Sequence, residues 1–244
     1  IGMLILLLPV TAARAGWSSD DSGAPALGGL QVTKSMTTAI VVGGLVFESG
    51  EAGQLPDTVQ IVFHPDEPSI TSITGHLDFD GDVDVFAIYI DDPEDFSAST
   101  DNDGNQLSFW RDTQLFAFDP DGFGVLGADG TPTGIYRSEL SAGKFPGPAG
   151  AYLLAVSDYD NDPVSIGGEI FPDNPAWGTF LPTGPGSAAP LTDWNADYRI
   201  PELGQYRIDL TGARAIPEPT TLALLGAGAL LTLRRRVKKS EKGS

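Results

Sequence analysis

The chain reads as an all-β protein: an antiparallel β-sandwich with jelly-roll or Greek-key-like wiring, followed by a short C-terminal hydrophobic helix. Three observations predict this. Between Thr33 and Thr211 the recurring signal is short runs in which apolar and polar residues alternate, the period of a half-buried strand. The 244 residues include 30 Gly and 19 Pro spread throughout, and nothing ahead of the tail sustains a helical period, so a bundle is excluded. The runs are short and regularly spaced, as sandwich strands are.

The first 15 residues read as a secretory leader. Met3 to Val10 is a short apolar run, and Ala13-Arg14-Ala15 puts small residues at the two positions that signal peptidase reads before Gly16. No basic residue precedes the run and position 1 is Ile, so the leader is expected to be truncated at its start or to begin from a misplaced start. Residues 16–32 are expected to be a flexible lead-in, and the sandwich is expected over 33–211.

Candidate strands are 39–47, 58–63, 70–77, 83–90, 106–110, 113–118, 151–157, 165–171 and 205–210. In 83–90, Val83, Val85, Ala87 and Tyr89 alternate with Asp84, Phe86, Ile88 and Ile90. Both faces are largely apolar, which predicts a central strand covered on both sides. Residues 171–198 break the pattern. Rich in Pro and Gly, with Trp177, Phe180 and Trp194, they predict a long loop within an insertion at 161–203. Its Trp residues are expected to pack the loop down rather than present a ligand platform.

The region 212–244 has a different composition. Thr220 to Leu233 is apolar without a polar face, Pro217 and Pro219 break the chain before it, and Arg234-Arg235-Arg236 with Lys238 and Lys239 stops it. At 14 residues the run is below the ~20 that a spanning helix needs, but snorkelling Arg side chains extend it toward a thin span. The order Ile216-Pro217-Glu218-Pro219, a Leu-rich run with Gly226 and Gly228, then three Arg resembles the PEP-CTERM sorting signal. That resemblance implies export, transient insertion of the tail in the inner membrane of a Gram-negative bacterium, and processing near Pro217-Glu218-Pro219. In that family the processing enzyme is exosortase, a membrane transpeptidase, and the resemblance implies the same partner here. Carriers of the signal are often linked to exopolysaccharide or biofilm assembly.

The body resembles the bacterial pre-peptidase C-terminal (PPC) β-sandwich domain over about 70–211. Four motifs carry the likeness. They are Gly81-Asp82-Val83-Asp84-Val85-Phe86; Thr113 to Gly122; Leu140-Ser141-Ala142-Gly143 with Gly150 to Val156; and Gly204-Gln205-Tyr206-Arg207-Ile208-Asp209-Leu210. The insertion at 161–203 departs from the usual short link between the last two strands. The resemblance implies an accessory module that is not catalytic.

Charge narrows the partners. Residues 16–216 hold seven basic and 31 acidic side chains, a net −24, which repels nucleic acid and favours divalent cations. Cys is absent, removing disulfides, thiolate zinc sites and a Cys nucleophile. Hard carboxylate oxygens on alternate residues of tight turns suit calcium. Asp78, Asp80, Asp82 and Asp84 form one such candidate and Asp158, Asp160 and Asp162 another; ordinary hairpin turn chemistry accounts for the same residues. For Asp101-Asn102-Asp103 and Asp119-Pro120-Asp121 the turn reading is preferred. An EF-hand is refuted for 158–169, because Pro163 stands where that loop needs Gly and no helices flank it.

No catalytic signature emerges. His64 and His76 are the only His, neither in a metal-spaced cluster, and no G-x-S-x-G elbow or P-loop occurs. The expectation is an exported, non-catalytic envelope or matrix protein with exosortase and signal peptidase as processing partners, and exopolysaccharide as a further partner. The alternative is a glycan-binding or glycan-active protein using the acidic loops and the aromatic insertion.

Overall fold

The computed structural model describes residues 36–64, 66, 68–100, 112–130, 137–172, 178–196 and 204–216. The leader, the lead-in, candidate strand 106–110 and everything from Pro217 onward, including the expected helix at 220–233, lie outside them. Among the described residues there is no helix. The strands are β1 (Thr37–Thr38), β2 (Ile40–Val42), β3 (Leu45–Phe47), β4 (Gln60–Ile61), β5 (Ser72–Leu77), β6 (Val83–Ile90), β7 (Ser97–Ser99), β8 (Thr113–Phe118), β9 (Gly124–Asp129), β10 (Glu139–Leu140), β11 (Gly150–Asp158), β12 (Asn161–Ser165), β13 (Gly168–Glu169), β14 (Gly178–Phe180), β15 (Asp193–Ala196), β16 (Gly204–Thr211) and β17 (Ala213–Arg214).

The strands form two main sheets and a small one. The first runs β1-β4-β6-β11-β8-β9-β14, with β17 also on β6; the second runs β10-β7-β16-β5-β3-β2; the third is β13-β12-β15. Alternation along β6 decides how they stack. Phe86, Ile88 and Ile90 join Leu115, Ala117, Tyr152, Leu154 and Val156 of the first sheet with Ile73, Leu77, Tyr206, Ile208 and Leu210 of the second in one core. That is a sandwich interior, with each such side chain contributing roughly 1.5–3 kcal/mol through burial. The opposite face of β6, with Val83, Val85, Ala87 and Tyr89, packs into a second cluster with Phe116, Phe118, Ile170, Phe171 and Leu191. All eight residues of β6 are buried, as expected for a strand covered on both sides.

Antiparallel pairing throughout was the expectation, and the sheets are mixed instead. β1 with β4, β4 with β6, and β3 with β5 are parallel. The cause is topological. The chain alternates between sheets from β3 to β6, so strands that return to the same sheet do so by crossover rather than hairpin. Two expected single strands are also hairpins. Gly43 and Gly44, at φ 57° and 86°, turn 39–47 back on itself, pairing Ile40 with Phe47. Residues 165–171 break at Ile166-Gly167, so β12 pairs β13.

The insertion is not one long loop. β14 extends the first sheet beside β9, and β15 pairs β12. Trp194 lies 5.8 Å from Phe116 and 6.2 Å from Phe118 between ring centroids, and Phe180 lies 5.8 Å from Phe171. These aromatics are the lid on the outer face of the first sheet, the packing role expected for them; Trp177 lies outside the described residues.

Candidate functional site

Asp84 is the one polar residue on the inward face of β6, and it points where Phe86, Ile88 and Ile90 point. Across the sandwich, Tyr206 of β16 meets it, and the Tyr206 hydroxyl donates to Asp84 Oδ2 at 2.6 Å. The space for that hydroxyl comes from Gly75, the register partner of Tyr206 on β5. A Cβ there would overlap the hydroxyl and lie 2.7 Å from Glu48 Oε2. Only Gly lets all three groups share this end of the interior.

The loop after β3 brings in two more acids. Glu48 Oε2 accepts from the His76 backbone N–H at 2.8 Å. Glu51, three residues on, is exposed, and its carboxylate, with those of the buried Asp82 and Asp84, places oxygens within 4.8 Å of one another. Several bonds fix the loop: Val85 N–H donates to the Gly53 carbonyl at 3.1 Å, and Trp194 Nε1 to the Gln54 carbonyl at 2.8 Å. Gln54 Nε2 in turn reaches Asp82 Oδ1 at 3.4 Å, while Asp82 Oδ2 accepts from Asp78 N–H at 2.6 Å. The insertion therefore braces the acidic cluster through Trp194.

Among the described residues, none of Glu48, Glu51, Asp82 and Asp84 is paired with Lys or Arg. Burial, then the charge of Glu48, pushes the Asp84 carboxyl up to about 9, although the Tyr206 hydrogen bond pulls the other way. Burial also raises Glu48 and Glu51, with neighbouring carboxylates adding to it. Burial and the Asp84 charge raise Tyr206 well above its ordinary value. Asp84 is 0% exposed, and its Oδ1 has no hydrogen-bond partner.

A second acidic cluster forms where β8, β9 and β12 meet. Gln114 sits at its centre: Nε2 donates to Asp162 Oδ1 at 3.0 Å, and Oε1 accepts from Asn161 N–H and Ser157 Oγ, each at 3.3 Å. Asp129, its register partner on β9, is pushed up to about 7 by burial and then by Asp112, Asp162 and Asp160, against the lowering effect of Gln114.

The residues anticipated for calcium thus divide. Asp82 and Asp84 converge, joined by Glu51 and Glu48, which carried no local motif. Asp78 faces outward and pairs with His76 Nδ1 at 2.5 Å, and Asp80 is exposed. Asp160 and Asp162 act on Asp129, whereas Asp158 Oδ1 accepts from Tyr159 N–H within its own turn. Among the described residues, Glu51, Asp82 and Asp84 are the group whose carboxylates converge closely enough to share an ion.

At the far end of the body the chain stays tied down to its last described residue. Ala215 N–H donates to the Pro68 carbonyl at 3.0 Å and Ile216 N–H to the Val62 carbonyl at 2.7 Å, and Ile216 is buried. Arg214 lies 3.9 Å over the Tyr89 ring and bonds Asp91 at 3.1 Å. Pro217 follows this anchored residue with no spacer. The signal-cleavage residues Ala13, Ala15 and Gly16, the motif Pro217-Glu218-Pro219 and the block Arg234-Arg235-Arg236 lie outside the described residues.

No curated protein and no solved structure gives a match to this chain. Residues 215–238 match the family model of the PEP-CTERM protein-sorting motif. The chain therefore carries the mark of an exported protein that is sorted by exosortase and transiently anchored by its C-terminal tail.

Proposed function

We propose that the chain is an exported, non-catalytic structural or adhesive module of the Gram-negative cell envelope or extracellular matrix, working with exopolysaccharide. Signal peptidase removes the leader before Gly16. The tail holds the body at the inner membrane, with Arg234, Arg235 and Arg236 as its cytoplasmic stop, until exosortase acts near Pro217-Glu218-Pro219. The sorting match at 215–238, joined directly to a body anchored through Ile216, carries this reading.

The non-catalytic part is supported by how the insertion is used. Trp194 and Phe180 pack, partly buried, on the apolar cover of the first sheet, a use that favours packing over a stacking platform for sugars. The PPC-like reading of the body draws support from where its motifs fall: on the start of β6, on β8 and its following turn, on β11 and on β16.

The test is expression of the tagged chain in a Gram-negative host with and without an exosortase. The expected result is membrane retention without the enzyme, and tail loss with release to the surface or matrix with it. Replacing Pro217, Glu218 and Pro219 with Ala abolishes that processing. Identical size and fractionation in both hosts overturns the sorting reading. Recovery of the processed body only as free protein, never with the polysaccharide matrix, overturns the matrix role.

A further inference from the structure

We propose that Glu51, Asp82 and Asp84 hold a calcium ion at the end of the sandwich interior, with Glu48 beside them and Tyr206 fixing the Asp84 carboxylate. Oxygens bound to one calcium at about 2.3–2.6 Å lie no more than about 5 Å apart. The three carboxylates meet this, with ligand atoms within 4.8 Å of one another. Convergence of acids alone would not indicate an ion. The independent observation is Asp84 itself: 0% exposed, aimed into the cluster, with Oδ1 lacking any partner.

A buried carboxylate oxygen without a donor is costly unless a cation or a proton meets it. Tyr206 supplies one hydrogen bond, to Oδ2, and has no second hydroxyl proton for Oδ1. A divalent ion bound by Glu51, Asp82 and Asp84 would meet that oxygen and offset the repulsion from Glu48. It also explains Gly75, whose missing Cβ lets the Tyr206 hydroxyl and the Glu48 carboxylate approach the same point.

The donor set selects the ion. All donors are hard carboxylate oxygens, which suit calcium and magnesium over metals that prefer imidazole or thiolate. The nearest imidazole, His76, holds Asp78 through Nδ1. The carboxylates come from the loop after β3, the turn before β6 and β6 itself, at unequal depths, an irregular arrangement that suits flexible calcium coordination better than octahedral magnesium. The site stands on this geometry and not on the export reading, so failure of the processing experiment leaves it intact.

The test uses the full chain in mild detergent, stripped with EDTA, and melted with and without calcium or magnesium at millimolar concentration. Calcium is expected to raise the midpoint by several degrees, because a ligand bound only by the folded state stabilises it. Magnesium is expected to raise it less. Glu51→Gln and Asp84→Asn are expected to weaken calcium binding by about tenfold or more, since affinity follows the number of charged ligands. In EDTA, Asp84→Asn is expected to melt no lower than the parent, because the amide is neutral without the proton that the buried carboxyl must take up on folding. Asp129→Asn, in the other cluster, keeps the full shift. Should Asp84→Asn fail to fold, the exposed Glu51→Gln decides. An unchanged midpoint in calcium overturns the proposal and leaves a proton-sharing carboxyl cluster; so does a shift that survives Glu51→Gln. An equal response to magnesium overturns the assignment to calcium.

Discussion

The two acidic clusters carry similar charge and differ in what surrounds it. At the β8–β9–β12 junction a neutral amide does the organising: Gln114 donates to Asp162 and accepts from Asn161 and Ser157, so the carboxylates are held apart by hydrogen bonds. At the β6–β16 end the amide of Gln54 reaches only Asp82, at 3.4 Å. Tyr206 satisfies one oxygen of Asp84, and the other is left without a donor among three further acids. Acidity in the sequence does not by itself locate a cation site: at the β6–β16 end the unsatisfied buried oxygen belongs to the carboxylate of Asp84, whereas at the junction it is the neutral amide oxygen of Asn161.

Several changes break or sharpen this contrast. The largest effect is expected from Gly75→Ala, which drives a methyl group into the Tyr206 hydroxyl and should destabilise the body by roughly 2–3 kcal/mol in urea unfolding. The equivalent lesion in the other cluster, Gln114→Leu, removes one hydrogen bond each from Asp162, the Asn161 N–H and the Ser157 hydroxyl. It should cost about 2 kcal/mol, with calcium response retained.

The pH dependence comes next. Asp129 and Asp84 keep protons in the folded chain that the unfolded chain has already released, so folding takes up protons and their contribution falls as pH rises. It is complete below the ordinary Asp value of 3.8, and fades through about 7 for Asp129 and about 9 for Asp84. Urea midpoints of the calcium-free chain should therefore decline between pH 7 and 9, and Asp84→Asn should flatten that decline. The smallest effect is expected from Tyr206→Phe, about 1 kcal/mol in EDTA and less in calcium, where the ion holds Asp84 in place of the hydroxyl.

Legibility in the sequence followed the same physics. β6, β8, β11 and β16 were readable because burial on one or both faces writes an apolar pattern. β12, β14 and β15 were not, because NDPVS, GTF and DWNA carry no apolar alternation, and β14 and β15 lie at sheet edges. The parallel pairings were hidden for another reason: they follow from crossovers between sheets, which local composition does not record.

In the site, Asp82 and Asp84 were visible as alternating acids, whereas Tyr206 lies 122 residues from Asp84 and becomes its partner only when β16 pairs β5 opposite Gly75. Glu48 and Glu51 carry no local motif and join the site only through the fold of the loop after β3. Trp194 was read as packing, and it is, but its bond to Gln54 also braces the loop that carries those two acids. The tail was the reverse case. Its three elements lie in consecutive residues, so the sorting motif was legible without any fold at all.

Calorimetric titration of calcium into the EDTA-stripped full chain tests the contrast most directly. The account predicts one calcium per chain, bound about tenfold or more weakly in Asp84→Asn and unchanged in Asp129→Asn. No binding heat, or binding that survives Asp84→Asn and disappears in Asp129→Asn, would contradict it.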